Sequence, residues 1–300
     1  MRFSYWPAPS LPWSEVLLLA QHAEESGWDG VWYADHFMPS QGDLSTPYGE
    51  AWTTLAGLAA AVPRVRIGAM VSGNTYRHPA VLANMAATID HISGGRCVLG
   101  LGAGWQENEH RAYGIEFSDV PGRLARLEEA CQVIRGLFDN ERTTFAGEYY
   151  QLDEASMMPK PVQQPLPLLI GGGGEKVTLR IAARYADEWN YWGDVDTIRH
   201  KLSVLDAHCR NEGRDRGEIS TSAQALIVLS DDAETVAKAR AGDSPLPLIA
   251  GNVDEVRETI AAYADAGLDE FIVPDFNMGP RERKVPVLDR FIKEVATVAR

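Results

Sequence analysis

An aspartate and a histidine stand side by side at Asp35-His36, directly after the apolar stretch Gly30–Ala34. An imidazole titrates near neutral pH and a carboxylate can steady it, so such a pair can hold or move a proton. It can equally serve a loop hydrogen bond, and adjacency alone does not choose between the two. Two further carboxylates, in Glu107-Asn108-Glu109-His110, are either proton donors or solvated acids of a helix start, and the solvated reading weighs more for Glu107. No second histidine stands at helical spacing from His110, so no zinc site is expected, and the seven histidines are scattered. The G-x-S-x-G elbow of serine hydrolases is missing. The glycine run Gly171–Gly174 follows an apolar stretch and precedes a helical pattern. Backbone N–H groups in such a run can close around an anion at the positive end of a helix; the alternative is a tight turn with no ligand. It is not a P-loop, because Glu175-Lys176-Val177 stands where Lys-Ser/Thr is required. Gly100, Gly102 and Gly104 lack the third glycine of a dinucleotide fingerprint and read as close backbone approach. Trp6 and Trp192 end apolar stretches and can wall a flat ring system, whereas most other aromatics default to core.

These residues need a frame, and hydrophobic periodicity supplies one. Strands are expected at Arg2–Trp6, Gly30–Asp35, Val65–Ser72, Cys97–Gly102, Leu166–Gly171, Asp187–Trp192, Ile219–Leu229 and Glu270–Pro274. Helices are expected at Ser14–Ser26, Glu50–Val62, from His78-Pro79 onward, and at Gly122–Phe138, Glu175–Tyr185, Val195–Glu212, Val253–Ala266 and Val285–Ala299. Thr143–Leu152 reads as a hairpin turning at Ala146-Gly147, and Asp231–Asn252 as irregular around Pro245 and Pro247. Strict alternation calls for an α/β fold with a parallel sheet and helical crossovers. Eight such units in 300 residues fit a (β/α)8 TIM barrel with insertions at its mouth better than an open doubly wound sheet. One domain over 1–300 is expected, since no linker interrupts the pattern. In a barrel the site lies at the carboxyl ends of the strands, which is where Trp6, Asp35-His36, Ser72-Gly73-Asn74, Gly102–Trp105, Gly171–Gly174, Asn190–Trp192 and Asp275–Asn277 fall.

A net charge of −14 argues against nucleic acid and anionic membrane surfaces as partners. Three cysteines without CxxC spacing suggest neither disulfide framework nor zinc. The apolar run Val16–Ala20 is too short for a signal peptide, and no stretch approaches the roughly 20 apolar residues of a membrane span. The reducing cytoplasm is the expected location.

Several runs, taken in order, resemble the luciferase-like monooxygenase family, in particular its coenzyme F420-dependent oxidoreductase branch. They are Trp32-Tyr33-Ala34-Asp35-His36, Tyr76-Arg77-His78-Pro79, Ile92–Arg96 leading into Leu99–Gly102, Leu169–Gly174 and Ala186–Asn190. The resemblance covers nearly the whole chain. It implies a barrel that binds reduced F420, or alternatively flavin mononucleotide (FMN), at its mouth, with hydride transfer to or from a small organic substrate. An FMN-dependent monooxygenase using oxygen is the second reading, and a non-catalytic flavin-binding protein the third. By position, Asp35 and His36 lie beside the ring, with His36 as acid/base, Asp35 orienting it or polarising the ring, and Glu109 as a further catalytic candidate. A non-proline cis peptide is implied at Met70-Val71, with Ser72 following it into the cofactor pocket. Gly173 and Gly174, helped by Ala103-Gly104, are implied to hold the phosphate. Trp6 is a cofactor-wall candidate, and Arg77, Lys176, Arg281, Arg283 and Lys284 are candidates for a basic rim facing the F420 tail. The loop Phe37–Gly49 is a candidate lid, and a homodimer is implied.

Overall fold

Local signals account for most element boundaries in the computed structural model, which describes residues 1–299. Strand β1 (Arg2–Trp6) leads into helix α1 (Trp13–Ser26), which stops at Gly27 with φ 92°, a left-handed conformation that glycine adopts without Cβ strain. Then follow β2 (Gly30–Tyr33), α2 (Ala51–Ala61), β3 (Arg66–Ala69), β4 (Ser72–Gly73) and α3 (Pro79–Ser93). Pro79 opens α3, where its missing N–H would be unpaired anyway, and the His78 ring accepts from Ala80 N at 3.2 Å. Next come β5 (Cys97–Gly102), α4 (Glu107–Tyr113), α5 (Val120–Asp139) and the hairpin β6 (Thr143–Ala146) and β7 (Gln151–Ala155). The chain continues through β8 (Leu168–Gly171), α6 (Thr178–Tyr185), β9 (Glu188–Trp192), α7 (Val195–Glu212) and β10 (Ser220–Gln224). It ends with β11 (Leu226–Leu229), α8 (Ala233–Ala241), β12 (Leu248–Gly251), α9 (Val253–Asp265), β13 (Glu270–Pro274) and α10 (Arg281–Arg290). Asp194 caps α7, and Asn252 with Glu255 forms a capping box on α9.

The parallel strands run in the order β3-β2-β1-β13-β10-β9-β8-β5, and a β3–β5 pairing closes the ring, with β4 extending the third strand alongside β5. This is a closed (β/α)8 barrel. Inward side chains, Trp6, Trp32, Ala34, Met70, Val98, Leu169 and Ile272, form one apolar cluster, while alternate residues pack outward under the helices. The amino-terminal end of the barrel is shut by charge: Arg66 binds Glu188 and Glu270 (2.9 Å to the latter), Arg2 reaches Glu270 at 3.1 Å, and Trp32 Nε1 donates to it at 2.9 Å. Burial pushes the Glu270 carboxyl up, but Arg66 and Arg2 more than reverse this. Burial dominates at Glu188, whose carboxyl is raised.

Three expectations are corrected. The stretch Ile219–Leu229 is two strands: β10 stays in the ring, while β11 leaves it and pairs with β12 as a separate parallel pair. The stretch Asp231–Asn252 is not irregular; it holds α8, capped by Asp232, and β12. The last helix begins at Arg281 and passes into a π turn over Phe291–Val295 and a 3-10 turn over Ala296–Val298.

Candidate active site

His36 sits just past β2 with its side chain 19% exposed, and its Nδ1 meets Glu109 Oε1 at 2.8 Å. Glu109 comes from α4, the helix that follows β5, and is fully buried. Its other oxygen accepts from the Phe37 N–H at 2.8 Å, and the Tyr76 hydroxyl donates to Oε1. Burial raises the Glu109 carboxyl, but the donors His36, Tyr76 and Phe37 N together hold it below the usual glutamate range. An ionised acceptor on Nδ1 fixes the proton there and leaves Nε2 as the basic or acidic atom. Burial and the Glu109 anion push the Tyr76 phenol well up, so it stays a donor. Trp105, 65% exposed, stands edge-on to the His36 ring at 5.5 Å. Gln106 and Asn108 donate to the carbonyls of Met38 and Pro39, both at 2.8 Å, pinning the start of the Phe37–Gly49 loop to α4.

Asp35 does not orient His36. It is buried and takes both arms of the Arg77 guanidinium, at 2.6 and 3.0 Å, while Arg77 also binds Glu50, the N-cap of α2. The carboxylate that orients the imidazole is Glu109. Nor does Ser72 open toward the mouth: it is buried and its hydroxyl accepts from Trp52 Nε1 at 2.8 Å on the helix side. Arg77 and Lys284 are removed from the basic rim, the latter because it is buried against Asp275 at 2.6 Å. Lys176, Arg281 and Arg283 remain exposed. Glu107 is exposed, as a solvated helix start should be.

The Met70-Val71 peptide is cis. Met70 lies in the inner cluster, and the Val71 side chain occupies the space that Cβ atoms on Gly100, Gly102 and Gly171 would take. Glycines on β5 and β8 therefore make room for Val71 inside the ring. Gly173 makes similar room for Tyr191, whose ring lies 2.4 Å from where its Cβ would be. The glycine run does not lead straight into a helix, since Glu175–Val177 form a turn before α6 begins at Thr178. The run keeps one property a phosphate needs. Among the described residues, the N–H groups of Gly173, Gly174, Glu175 and Lys176 meet no protein acceptor. Gly104, with φ 83°, follows the neighbouring strand β5 and lies against Thr75. Trp6 is 5% exposed and rests against Trp192 at 5.7 Å and Phe276 at 5.2 Å. Its Nε1, like Asn74 Oδ1, has no hydrogen-bond partner among the described residues. Free backbone donors after one barrel strand, on the same barrel end as the Trp6 ring, suit a phosphorylated ring cofactor.

Sequence reading places Tyr76 in a motif and Phe276 at the end of a strand, but it gives neither a role. Tyr76 stands two residues before the His78-Pro79 helix start, where a polar ring in a loop after a strand was the available signal. Two clefts of about 590 and 610 Å³ lie away from these groups, one lined by Lys160–Leu166 with the ends of α5 to α7, the other by α8.

Sequence comparison matches residues 1–251 to the family model described as luciferase-like monooxygenase. The F420-dependent glucose-6-phosphate dehydrogenase of Kineococcus radiotolerans is 34% identical over 246 residues, 80% of this chain and 72% of the relative. The F420-dependent hydroxymycolic acid dehydrogenase of Mycobacterium tuberculosis is 33% identical over 228 residues, 75% of this chain and 61% of the relative. Among solved structures, an F420-dependent secondary alcohol dehydrogenase in complex with an F420-acetone adduct superposes with a TM-score of 0.83 at 23% identity, over 99% of this chain and 98% of that one.

Proposed function

The chain belongs to the luciferase-like monooxygenase family, and from that premise we propose that it is a coenzyme F420-dependent dehydrogenase that interconverts a hydroxyl-bearing carbon and a carbonyl. Both relatives named above are F420-dependent dehydrogenases, which favours F420 over FMN. When bound, F420 supplies the carbon that takes or gives the hydride. The N–H groups of Gly173 and Gly174, with the Ala103-Gly104 backbone after the neighbouring strand, would hold its phosphate, and Val71, carried by the Met70-Val71 peptide, and Trp6 would flank its ring. His36 takes the hydroxyl proton at Nε2 during oxidation and returns one during carbonyl reduction, while Glu109 keeps the other ring nitrogen protonated. Asp35, neutralised by Arg77, holds the loop that carries His36.

The observation that carries this reading is the His36–Glu109–Tyr76 chain on the same barrel end as a run of unpaired backbone donors. The expected result is tight F420 binding by fluorescence titration, and a His36→Ala variant that keeps this affinity and loses about 10²–10⁴-fold in turnover. Tight FMN binding without F420 binding would reject the cofactor; unchanged turnover would reject the role of His36. Three buried free cysteines support a reducing, cytoplasmic setting, and exposed Val81 and Ile92 on α3 support a homodimer, which light scattering tests.

A further inference from the structure

The rim is chemically divided. Strands β3, β5 and β8 carry Val71, Gly104 and the run of free N–H groups. The other part of the rim, β1, β13 and, adjoining β8, β9, ends in Trp6, the Asp275–Asn277 loop and Trp192. That half is a wall of three rings: Trp6 to Trp192 at 5.7 Å, Trp6 to Phe276 at 5.2 Å and Trp192 to Phe276 at 6.5 Å. Trp6 is nearly buried, yet Phe276 is 39% exposed, so the wall has a free edge toward solvent. Two cations that would otherwise attract an anion are neutralised, Lys284 by Asp275 and Arg77 by Asp35 and Glu50.

We infer that the substrate carries an uncharged, flat apolar body, an aromatic ring or its equivalent, which packs on Trp192 and Phe276, beside the Trp6 ring assigned to the cofactor, while its oxygen faces His36. Offset and edge-to-face ring pairs favour such a body over a hydrated sugar phosphate. Of the cations that follow the Asp275–Asn277 loop in the chain, Lys284 is bound to Asp275 and Arg281 to Glu15 at 3.2 Å, which leaves Arg283, among the described residues of α10 before Arg290, as the one cation there to meet a phosphoryl group. The inference rests on the dehydrogenase reading for its chemistry and on the ring wall alone for its binding.

The test has two arms. In the first, the protein loaded with F420 is assayed with 1-phenylethanol, 2-propanol and glucose 6-phosphate. The expected result is a kcat/KM for 1-phenylethanol about tenfold or more above that for 2-propanol, with glucose 6-phosphate inert. Phe276→Ala should shrink that preference about tenfold and Phe276→Leu by less, with F420 affinity unchanged. In the second, acetophenone binding to the protein is measured by calorimetry, without turnover; it should weaken in Phe276→Ala. Preference for glucose 6-phosphate, or equal losses for 1-phenylethanol and 2-propanol in Phe276→Ala, would overturn the inference. Failure to bind F420 would sink the dehydrogenase reading instead. Acetophenone binding then decides the inference alone, supporting it if weakened in Phe276→Ala and overturning it if absent.

Discussion

A single carboxylate organises the chemistry at the scale of residues. Glu109 accepts from His36, Tyr76 and the Phe37 backbone at once, so its charge sets both a tautomer and the path of the loop. Replacing it with Gln keeps the size but puts an amide N–H against one of these donors. Glu109→Gln should lose roughly ten- to a hundredfold in kcat with substrate KM little changed, the usual range for removing a carboxylate that orients a histidine. The sign of the pH effect follows from its lowered pKa. Above the ordinary glutamate range, near pH 4.3, the ionised form stabilises the fold. As pH falls through the depressed folded value, that contribution is lost. Denaturant midpoints at pH 7 and pH 4 should therefore differ more in the wild type than in Glu109→Gln; equal differences would contradict it. Asp35-His36 was readable in the sequence as a proton-handling site, but its inner wiring was not. The true partners, Glu109 for His36 and Arg77 for Asp35, lie 73 and 42 residues away, and adjacency in the chain suggested a pairing that the fold replaces.

Elements show which sequence signals are local and which depend on company. Cys97–Gly102, Val195–Glu212 and Glu270–Pro274 have the boundaries their periodicity predicts, because caps and glycines within a few residues set them. The departure of β11 from the ring leaves no such mark: Ala223, Ala225 and Ile227 form one buried apolar run, and only the arrival of β12 divides it. Prolines at 245 and 247 drew attention from the Asp232 cap and the alanine-rich helix behind it. Strand β5 itself is built for proximity. A Cβ on Gly100 would lie 2.0 Å from the Ala69 carbonyl oxygen, a backbone atom that cannot swing aside. Gly100→Ala should accordingly lower the unfolding free energy by about 1–3 kcal/mol, read by urea denaturation, and weaken F420 binding by displacing Val71. Wild-type stability in that variant would show that the sheet yields more easily than the geometry allows.

For the whole molecule, the ring and its count were legible because eight apolar strands alternate with helices, a rhythm that few folds share. The floor was not, since Arg66, Glu188 and Glu270 are spread over the chain and look like ordinary surface charges in sequence. Removing Arg66 alone should strand two buried carboxylates. Arg66→Ala is expected to cost about 3–5 kcal/mol at pH 8. The loss should be smaller at pH 5, where protonation relieves the repulsion; a pH-independent loss in thermal or denaturant unfolding would argue that the cluster is merely packing.

That ionic floor, with Trp32 bonded above it, also makes the barrel a blind cup. Anything admitted has a single doorway, shared by arrivals and departures. A ligand held at the rim therefore arrives and departs on one side of the ring, and nothing passes through it from the other.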